Sequence, residues 1–309
     1  MTHPQPFAAQ DYQAPSRRIR SQVARMLQPL FGWLGYDVLP RHFYSPIPRP
    51  RELPSRFWSE PSAMLGVAFD TTAQLAYLER ELVAHMHGFR PPRASSGDPK
   101  EYFLDNGLFQ AVDAEVLYAM VRRHRPRRIV ELGAGFSTLV IASACSANGR
   151  DGEAPQFVSY DPYAAAPKDG ELPGLMRLEL QSAETVPLSV FESLQPDDIL
   201  FIDTSHTVKV GGDVTHLVLE ALPRVRPGVL VHFHDVFLPW HYPREWVEHN
   251  GWYWAEQYLL QAFLACNQRF ETLFGAYAVA RAHPEALRAA IPSFRPDIAP
   301  LSLWLRRTG

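Results

Sequence analysis

The chain predicts an α/β fold built on a doubly wound, mostly parallel sheet, and three observations carry that prediction. From about residue 106 onward, short apolar runs suited to strands buried on both faces alternate with stretches of helical periodicity. One run, Arg128 to Leu132, passes directly into Gly133-Ala134-Gly135 and then into a helical stretch, the strand–turn–helix unit of nucleotide-binding sheets. Two later runs end in ionisable residues, Asp203 with His206 and His234 with Asp235, where parallel sheets gather their ligands.

The elements follow in chain order. Residues 1–105 read as an amino-terminal cap. Within it Arg17 to Leu34 is amphipathic, with Ile19, Val23, Met26, Leu27, Leu30 and Phe31 at helical spacing and basic residues at 17, 18, 20 and 25. Pro29 kinks or ends that helix. A membrane-surface anchor is one reading; the favoured one docks the helix on the catalytic domain or on a second copy of the chain, which makes a homo-oligomer an expectation. Pro40 to Pro61 is proline-dense and reads as an extended segment. Residues 106–309 form the catalytic domain. Its expected strands are Arg128–Leu132, Gln156–Tyr160, Met176–Leu180, Ile199–Asp203, Val229–His234, Phe270–Phe274 and Leu301–Leu305. Its expected helices include Asp113–Arg123, Thr138–Ala147, Val214–Leu222, Glu256–Asn267 and Pro284–Ala290.

Composition removes several function classes. A chain of 309 residues, 46% hydrophobic, can bury one large core and leave a smaller accessory region. With 30 basic against 33 acidic residues and a formal charge of -3, it lacks the electrostatic footprint of a nucleic-acid binder. Cys145 and Cys266 form neither a disulfide scaffold nor a Cys-x-x-Cys pair, which fits a reducing cytoplasm. No apolar run reaches the ~18 residues of a membrane span, and Met1 to Ser16 lacks the apolar stretch of a secretory signal.

Gly133 and Gly135 lack the β-carbons that would hold the backbone away from a ligand, and Ser137 and Thr138 are placed to cap the helix that follows. A dinucleotide fingerprint would have Gly or Ala where this chain has Thr138, so NAD is disfavoured. Asp161, at the end of the second strand, is the expected ribose ligand, against the alternative of a turn residue before Pro162. Asp203, His206, His234 and Asp235 bring ionisable groups to one rim, which suggests a divalent metal held by Asp203 and Asp235, with His234 or a water completing the set. His232 reads instead as a satisfied core histidine. Phe237, Trp240, His241, Tyr242, Trp246, Trp252, Tyr253 and Trp254 make residues 236–258 an aromatic lid. The alternative is that these rings only pack on the Pro40–Pro61 segment, from which His42 and Tyr44 would add a wall to the pocket.

Glu131-Leu132-Gly133-Ala134-Gly135 resembles motif I of the class I S-adenosylmethionine-dependent methyltransferases. More narrowly, the chain is similar to the bacterial methyltransferase-24 type, related to the macrocin and cephamycin O-methyltransferases. The resemblance spans His42 to Arg306 and includes His42-Phe43-Tyr44-Ser45-Pro46-Ile47-Pro48, Asn106-Gly107 with Asp113-Ala114-Glu115, Phe201-Ile202-Asp203-x-Ser205-His206, His234-Asp235 and Glu256-Gln257-Tyr258-Leu259-Leu260. It implies a seven-stranded sheet with the last strand antiparallel. It also implies S-adenosylmethionine bound by Glu131, Gly133, Ala134, Gly135, Ser137, Thr138, Asp161 and Asp203. Asp203 becomes a magnesium ligand, Asp235 a second metal acid and His206 the general base. Where relatives carry Glu-Asp, this chain has His234-Asp235, so magnesium and a transition metal both stay open. The expected activity is O-methylation of a small-molecule hydroxyl on a sugar, a glycosylated acceptor or another tailored metabolite. A metal-independent N-methyltransferase and a non-catalytic cofactor-binding subunit are the alternatives.

Overall fold

The computed structural model describes residue 23 and residues 26–39, 44–164 and 172–309. It divides into two compact units, Met1–Glu52 and Leu53–Gly309. In the first, residues 26–33 are helical and Pro50–Glu52 form a short 3-10 turn. The basic stretch of the expected Arg17–Leu34 helix, together with Pro40, His42 and Phe43, lies outside the described residues. Among the described residues no helix is long and apolar enough to cross a membrane.

The second unit is built on one seven-stranded sheet. Its strands are β1 (Arg128–Leu132), β2 (Gln156–Tyr160), β3 (Arg177–Glu179), β4 (Ile199–Ile202), β5 (Leu230–Phe233), β6 (Phe270–Gly275) and β7 (Leu303–Arg307). They lie in the order β3-β2-β1-β4-β5-β7-β6. Strands β1 to β5 are parallel, and β7 runs antiparallel to both β5 and β6. The expected α/β class and the antiparallel last strand are therefore both found.

The central strands are apolar runs because both their faces are covered. Ile129, Ile199, Phe201 and Leu230 join a core with the helices Asp113–His124 and Phe136–Arg150. The alternate residues Val130, Leu132, Leu200, Ile202, Val231 and Phe233 join a second core with Val214, Leu217, Leu260 and Leu264. This period-2 alternation sends Glu131, Asp203 and His232 toward the first core's side. Register then sets the site, because Leu132 pairs with both Tyr160 and Ile202, and Ile202 pairs with Phe233. Gly133, Asp161, Asp203 and His234 consequently emerge side by side at the carboxyl edge.

Element bounds differ from the sequence expectation where tertiary partners intervene. β7 starts at Leu303 rather than Leu301, because the Asp113 carboxylate takes the N–H groups of Leu301 (2.9 Å) and Ser302 (2.9 Å). The helix expected over Val214–Leu222 is α only at Asp213–His216. It widens to a π turn at Leu217–Ala221 and closes as 3-10 at Leu222–Arg224, where Pro223 has no N–H to continue it. Residues 53–105 belong to the same compact unit as the sheet. Thr71–Tyr77 is a helix capped by Asp70, and Gln74 within it accepts the N–H of Gly275 on β6 (2.9 Å).

Candidate active site

The turn after β1 is held by a close approach to the end of β4. Gly133 has φ +93°, and a β-carbon there would lie 1.8 Å from the carbonyl oxygen of Asp203. No side chain fits. The Gly133 N–H donates to the Tyr160 carbonyl (2.9 Å) and the Asp203 N–H to the Leu132 carbonyl (2.9 Å), which ties the three strand ends together.

Glu131 anchors this turn from inside. It is fully buried and accepts hydroxyl hydrogen bonds from Ser137 (2.8 Å), Thr138 (2.7 Å) and Ser159 (2.6 Å). Burial raises its carboxyl to about 7 against the pull of those hydroxyls. Of the two expected caps Thr138 serves and Ser137 does not: the helix begins at Phe136 with Gly135 in the cap position. The Thr138 hydroxyl accepts the Gly135 N–H (3.0 Å), while Ser137 is turned to Glu131. Asp161 is likewise occupied by backbone. One oxygen accepts the Ala134 N–H (2.9 Å), and the other accepts those of Tyr163 (2.7 Å) and Ala164 (3.0 Å), the geometry of the turn alternative.

A cleft of about 270 Å³ opens at this edge. Gly133, Asp161 and Asp203 line it, whereas Glu131, Ala134, Gly135, Ser137 and Thr138 are not among its walls. Tyr160, Pro162 and Tyr163 around Asp161, Ser182, Ala183 and Glu184 after β3, and Thr204, Ser205, Lys209 and Asp213 after β4 also line it, and none of these was among the site residues expected from the sequence. The available signal was positional, since residues 182–184 follow β3 as Asp161 follows β2.

Beside the cleft, Asp203, His206 and Asp235 converge. His206 Nε2 lies 3.3 Å from Asp203 Oδ1 and 3.3 Å from Asp235 Oδ2, and its Nδ1 lies 2.9 Å from Glu256 Oε2. One ligand atom from each of Asp203, His206 and Asp235 falls within 4.8 Å of the others, a spacing that could hold a metal ion. His206 and Asp235 both adopt left-handed backbone, at φ 55° and 57°. Non-glycine residues persist there only when their surroundings over-determine them, and such residues concentrate at functional sites.

His234 is not in that three-residue group. Its Nδ1 is 3.6 Å from Asp203 and 3.7 Å from Asp235, and its Nε2 is 3.6 Å from the buried Asp113 carboxylate. His232 lies in the core as expected but is only half satisfied: it is fully buried, its Nε2 shares a hydrogen bond with Ser302 (2.9 Å) and its ring stacks on Phe201 at 4.0 Å, while Nδ1 has no hydrogen-bond partner among the described residues.

Electrostatics bind the cluster. Burial opposes ionisation of Asp203, yet His234 and His206 hold it down to about 2. Burial also opposes the His206 imidazolium, but Asp203 and Glu256 outweigh it and push His206 up to about 10. His234 is raised well above its ordinary value by Asp203 and Asp235, again against burial. The surrounding carboxylates thus favour the charged form of both His206 and His234.

The aromatic segment after β5 packs mainly on itself. Trp252 and Trp254 stack at 5.0 Å, Trp246 meets both edge-on, and Phe237 contacts Tyr242, Trp246 and Tyr277. Trp254 also lies 4.3 Å from the His206 ring. The proline-dense segment contributes Phe57, stacked on His241 at 3.9 Å. Gln257 secures the chain by accepting the Phe237 N–H (2.8 Å) and donating to the Trp240 carbonyl (3.0 Å).

This chain is similar to known proteins to different degrees. The profile of a family described as Methyltransferase domain, of the methyltransferase-24 type, matches residues 130–236. An uncharacterised protein of Archaeoglobus fulgidus is 31% identical over 177 residues, covering 54% of this chain and 77% of that protein. Over residues 130–236, from β1 to just past β5, the chain is thus similar to the methyltransferase-24 domain. A CmcI structure with SAH is 18% identical, covering 89% of this chain and 98% of that one, at a TM-score of 0.34. A Thermobifida fusca protein, itself only proposed to be a methyltransferase, is 11% identical over 83% of this chain and 98% of that one, at a TM-score of 0.37. Superpositions that loose carry no argument about ligand or acceptor. The methyltransferase match contains the glycine turn, Asp161, Asp203, His206 and Asp235, while Asp113 and Glu256 lie outside it.

Proposed function

We propose that this S-adenosylmethionine-dependent methyltransferase methylates a hydroxyl of a small molecule, on a sugar, a glycosylated acceptor or another tailored metabolite, with His206 as general base. One observation carries the reading: Asp203 both lines the nucleoside-sized cleft and belongs to the Asp203–His206–Asp235 cluster. Donor and acceptor machinery thereby meet at one carboxylate. Methyl transfer from a sulfonium is an in-line displacement, so the protein has to align the acceptor and manage its proton.

Gly133, Asp161, Ser182 and Ala183 would hold the nucleoside part of the donor, with Glu131, Ser137 and Thr138 fixing the turn from behind. The carboxylates of Asp203 and Asp235 would hold a divalent cation, magnesium or a transition metal, with His206 Nε2 left to the acceptor. A cation on Asp203 and Asp235 would polarise the acceptor hydroxyl and offset the carboxylate charge that keeps His206 protonated. His206 Nε2, freed of its proton, then faces the acceptor side and takes the hydroxyl proton. The rings of residues 236–258, led by Trp254 over His206, would cover the apolar face of a sugar or planar acceptor.

A second reading has its own support. Asp203, Asp235 and Glu256 surround His206 with carboxylates, and His206 with Asp203 would orient a neutral amine, whose lone pair attacks the methyl without metal, the proton then released being taken up by a carboxylate or water.

Purified protein, methyl-labelled S-adenosylmethionine and a panel of glycosides, other hydroxylated compounds and amines test both. The O-methyl reading expects label in a hydroxyl acceptor, activity abolished by EDTA and restored by magnesium or manganese. It also expects His206→Ala to lower turnover about 10²- to 10⁴-fold with S-adenosylhomocysteine affinity retained. Label in an amine that survives EDTA would replace it with the second reading, and equal loss of turnover and affinity in His206→Ala would make that residue structural.

A further inference from the structure

We propose that Glu256 is the positioning residue for His206, fixing the ring so that Nδ1 keeps a proton toward Glu256 and Nε2 faces the gap between Asp203 and Asp235. The inference rests on the reading of His206 as the base.

The way Glu256 is buried is the first argument. The residue is 1% exposed, and Oε2 lies 2.9 Å from His206 Nδ1. Its other oxygen, Oε1, is buried and has no hydrogen-bond partner among the described residues. A carboxylate buried to hold the fold uses both oxygens on backbone N–H or hydroxyl donors, as Glu131 does with three hydroxyls. Asp198 does so here, accepting the N–H groups of Arg127, Arg128 and Gln195, and so does Asp113 with Leu301 and Ser302. Glu256 makes no such bonds. Burying a carboxylate with one empty oxygen is costly, and stability gains little from it. What the placement provides is a single directed contact to the imidazole.

The second argument is that the same helix start also grips the His206 backbone. The His206 carbonyl accepts the N–H groups of Ala255 (2.9 Å) and Glu256 (3.1 Å). His206 is thus held at its carbonyl and at Nδ1 by residues 255 and 256, while Trp254 covers its ring. These contacts account for a histidine that stays at φ 55°. They also connect the two ends of the aromatic segment, which leaves β5 beside Asp235 and re-enters a helix at Glu256, with the imidazole between them.

The chemical consequence follows from the two ring nitrogens. A neutral imidazole accepts a proton only at the nitrogen that lacks one, and the hydrogen bond at the other nitrogen selects which that is. Glu256 selects Nε2. When the acceptor proton arrives at Nε2, the Nδ1 proton stays on the ring, and the Glu256 carboxylate balances the imidazolium charge without taking a proton itself.

The test uses the full chain, labelled with ¹⁵N-histidine, in EDTA with saturating S-adenosylhomocysteine. The wild type should show a low-field, slowly exchanging proton on His206 Nδ1, assigned by its loss in His206→Gln. That resonance should vanish in Glu256→Leu, move upfield in Glu256→Gln, whose amide oxygen is a weaker acceptor, and return toward wild type in Glu256→Asp. Affinity for S-adenosylhomocysteine, read by calorimetry, should stay unchanged in all three. With an acceptor in hand, Glu256→Gln should lower kcat about 10- to 100-fold with KM preserved. A resonance that persists in Glu256→Leu, or is absent from the wild type, overturns the proposal, and so does a loss of affinity that parallels it across the series. Should Glu256→Leu fail to fold, Glu256→Gln and Glu256→Asp decide on the same resonance. If the wild type binds no S-adenosylhomocysteine, the donor assignment falls, while the low-field proton still judges Glu256.

Discussion

His206 has Asp203 and Asp235 at 3.3 Å from Nε2 and Glu256 at 2.9 Å from Nδ1, so its protonation is bound up with the folded state. Its folded value is raised from 6.5 to about 10, with burial opposing and Asp203 and Glu256 prevailing. A raised value contributes stability that is fully present below 6.5 and is lost as pH rises through about 10. Asp203 is the opposite case: lowered from 3.8 to about 2, it contributes stability present above 3.8 and lost as pH falls through about 2. Urea unfolding of EDTA-treated protein should therefore show stability declining from neutral pH toward pH 10, with a flatter decline in His206→Gln. An equally steep decline in that variant would show that His206 is not the group responsible. Asp203, His206 and Asp235 were legible in the sequence because each interrupts or ends an apolar strand run, where a carboxylate or imidazole needs a partner. Glu256 was legible only as part of a family motif. Its partner lies 50 residues away, and no local pattern links the two.

At the scale of elements, the central strands β4 and β5 were legible as runs buried along their whole length, whereas the edge strand β3, Arg177–Glu179, has no buried residue and was placed by its neighbours in the sequence. Their ends were less legible, since an end is set by whatever takes the next N–H. Asp113 shows this. Its carboxylate, at the start of the helix Asp113–His124, holds the two N–H groups that precede β7 and lies 3.6 Å from His234. Asp113→Ala should cost about 3 kcal/mol, the range for hydrogen bonds to a charged group plus the exposed donors left behind. For a domain of this size that lowers Tm by about 6–12 °C in thermal unfolding. Asp113→Asn, which keeps one acceptor oxygen, should lose about half as much. A Tm unchanged in Asp113→Ala would mean that β7 is registered by its strand pairing alone. The helix after β4 makes the same point from the other direction, because helical periodicity ran through Val214–Leu222 while the backbone passed from α to π to 3-10 turns before Pro223.

Across the whole molecule, the two binding functions assigned to the sheet edge can be read as separate increments of stability. S-adenosylhomocysteine at 100 times its Kd should add about 2.7 kcal/mol, and a divalent cation at the same excess a similar amount. Each should raise Tm by about 5–10 °C in differential scanning fluorimetry. Asp235→Asn should remove the cation's increment and keep the nucleoside's; loss of both would show that Asp235 holds the fold and not a cation. What the sequence determined by itself was the sheet, its glycine turn and the identity of the rim residues. Burial on both faces and the absence of a β-carbon are local requirements, written residue by residue. Only the tertiary structure decided which histidine meets the carboxylates and which turns to Asp113. It also decided that Glu131 faces inward to three hydroxyls and that a glutamate from a distant helix holds His206. The convergence of His206 and Asp235 involves left-handed backbone at both residues, which no propensity specifies.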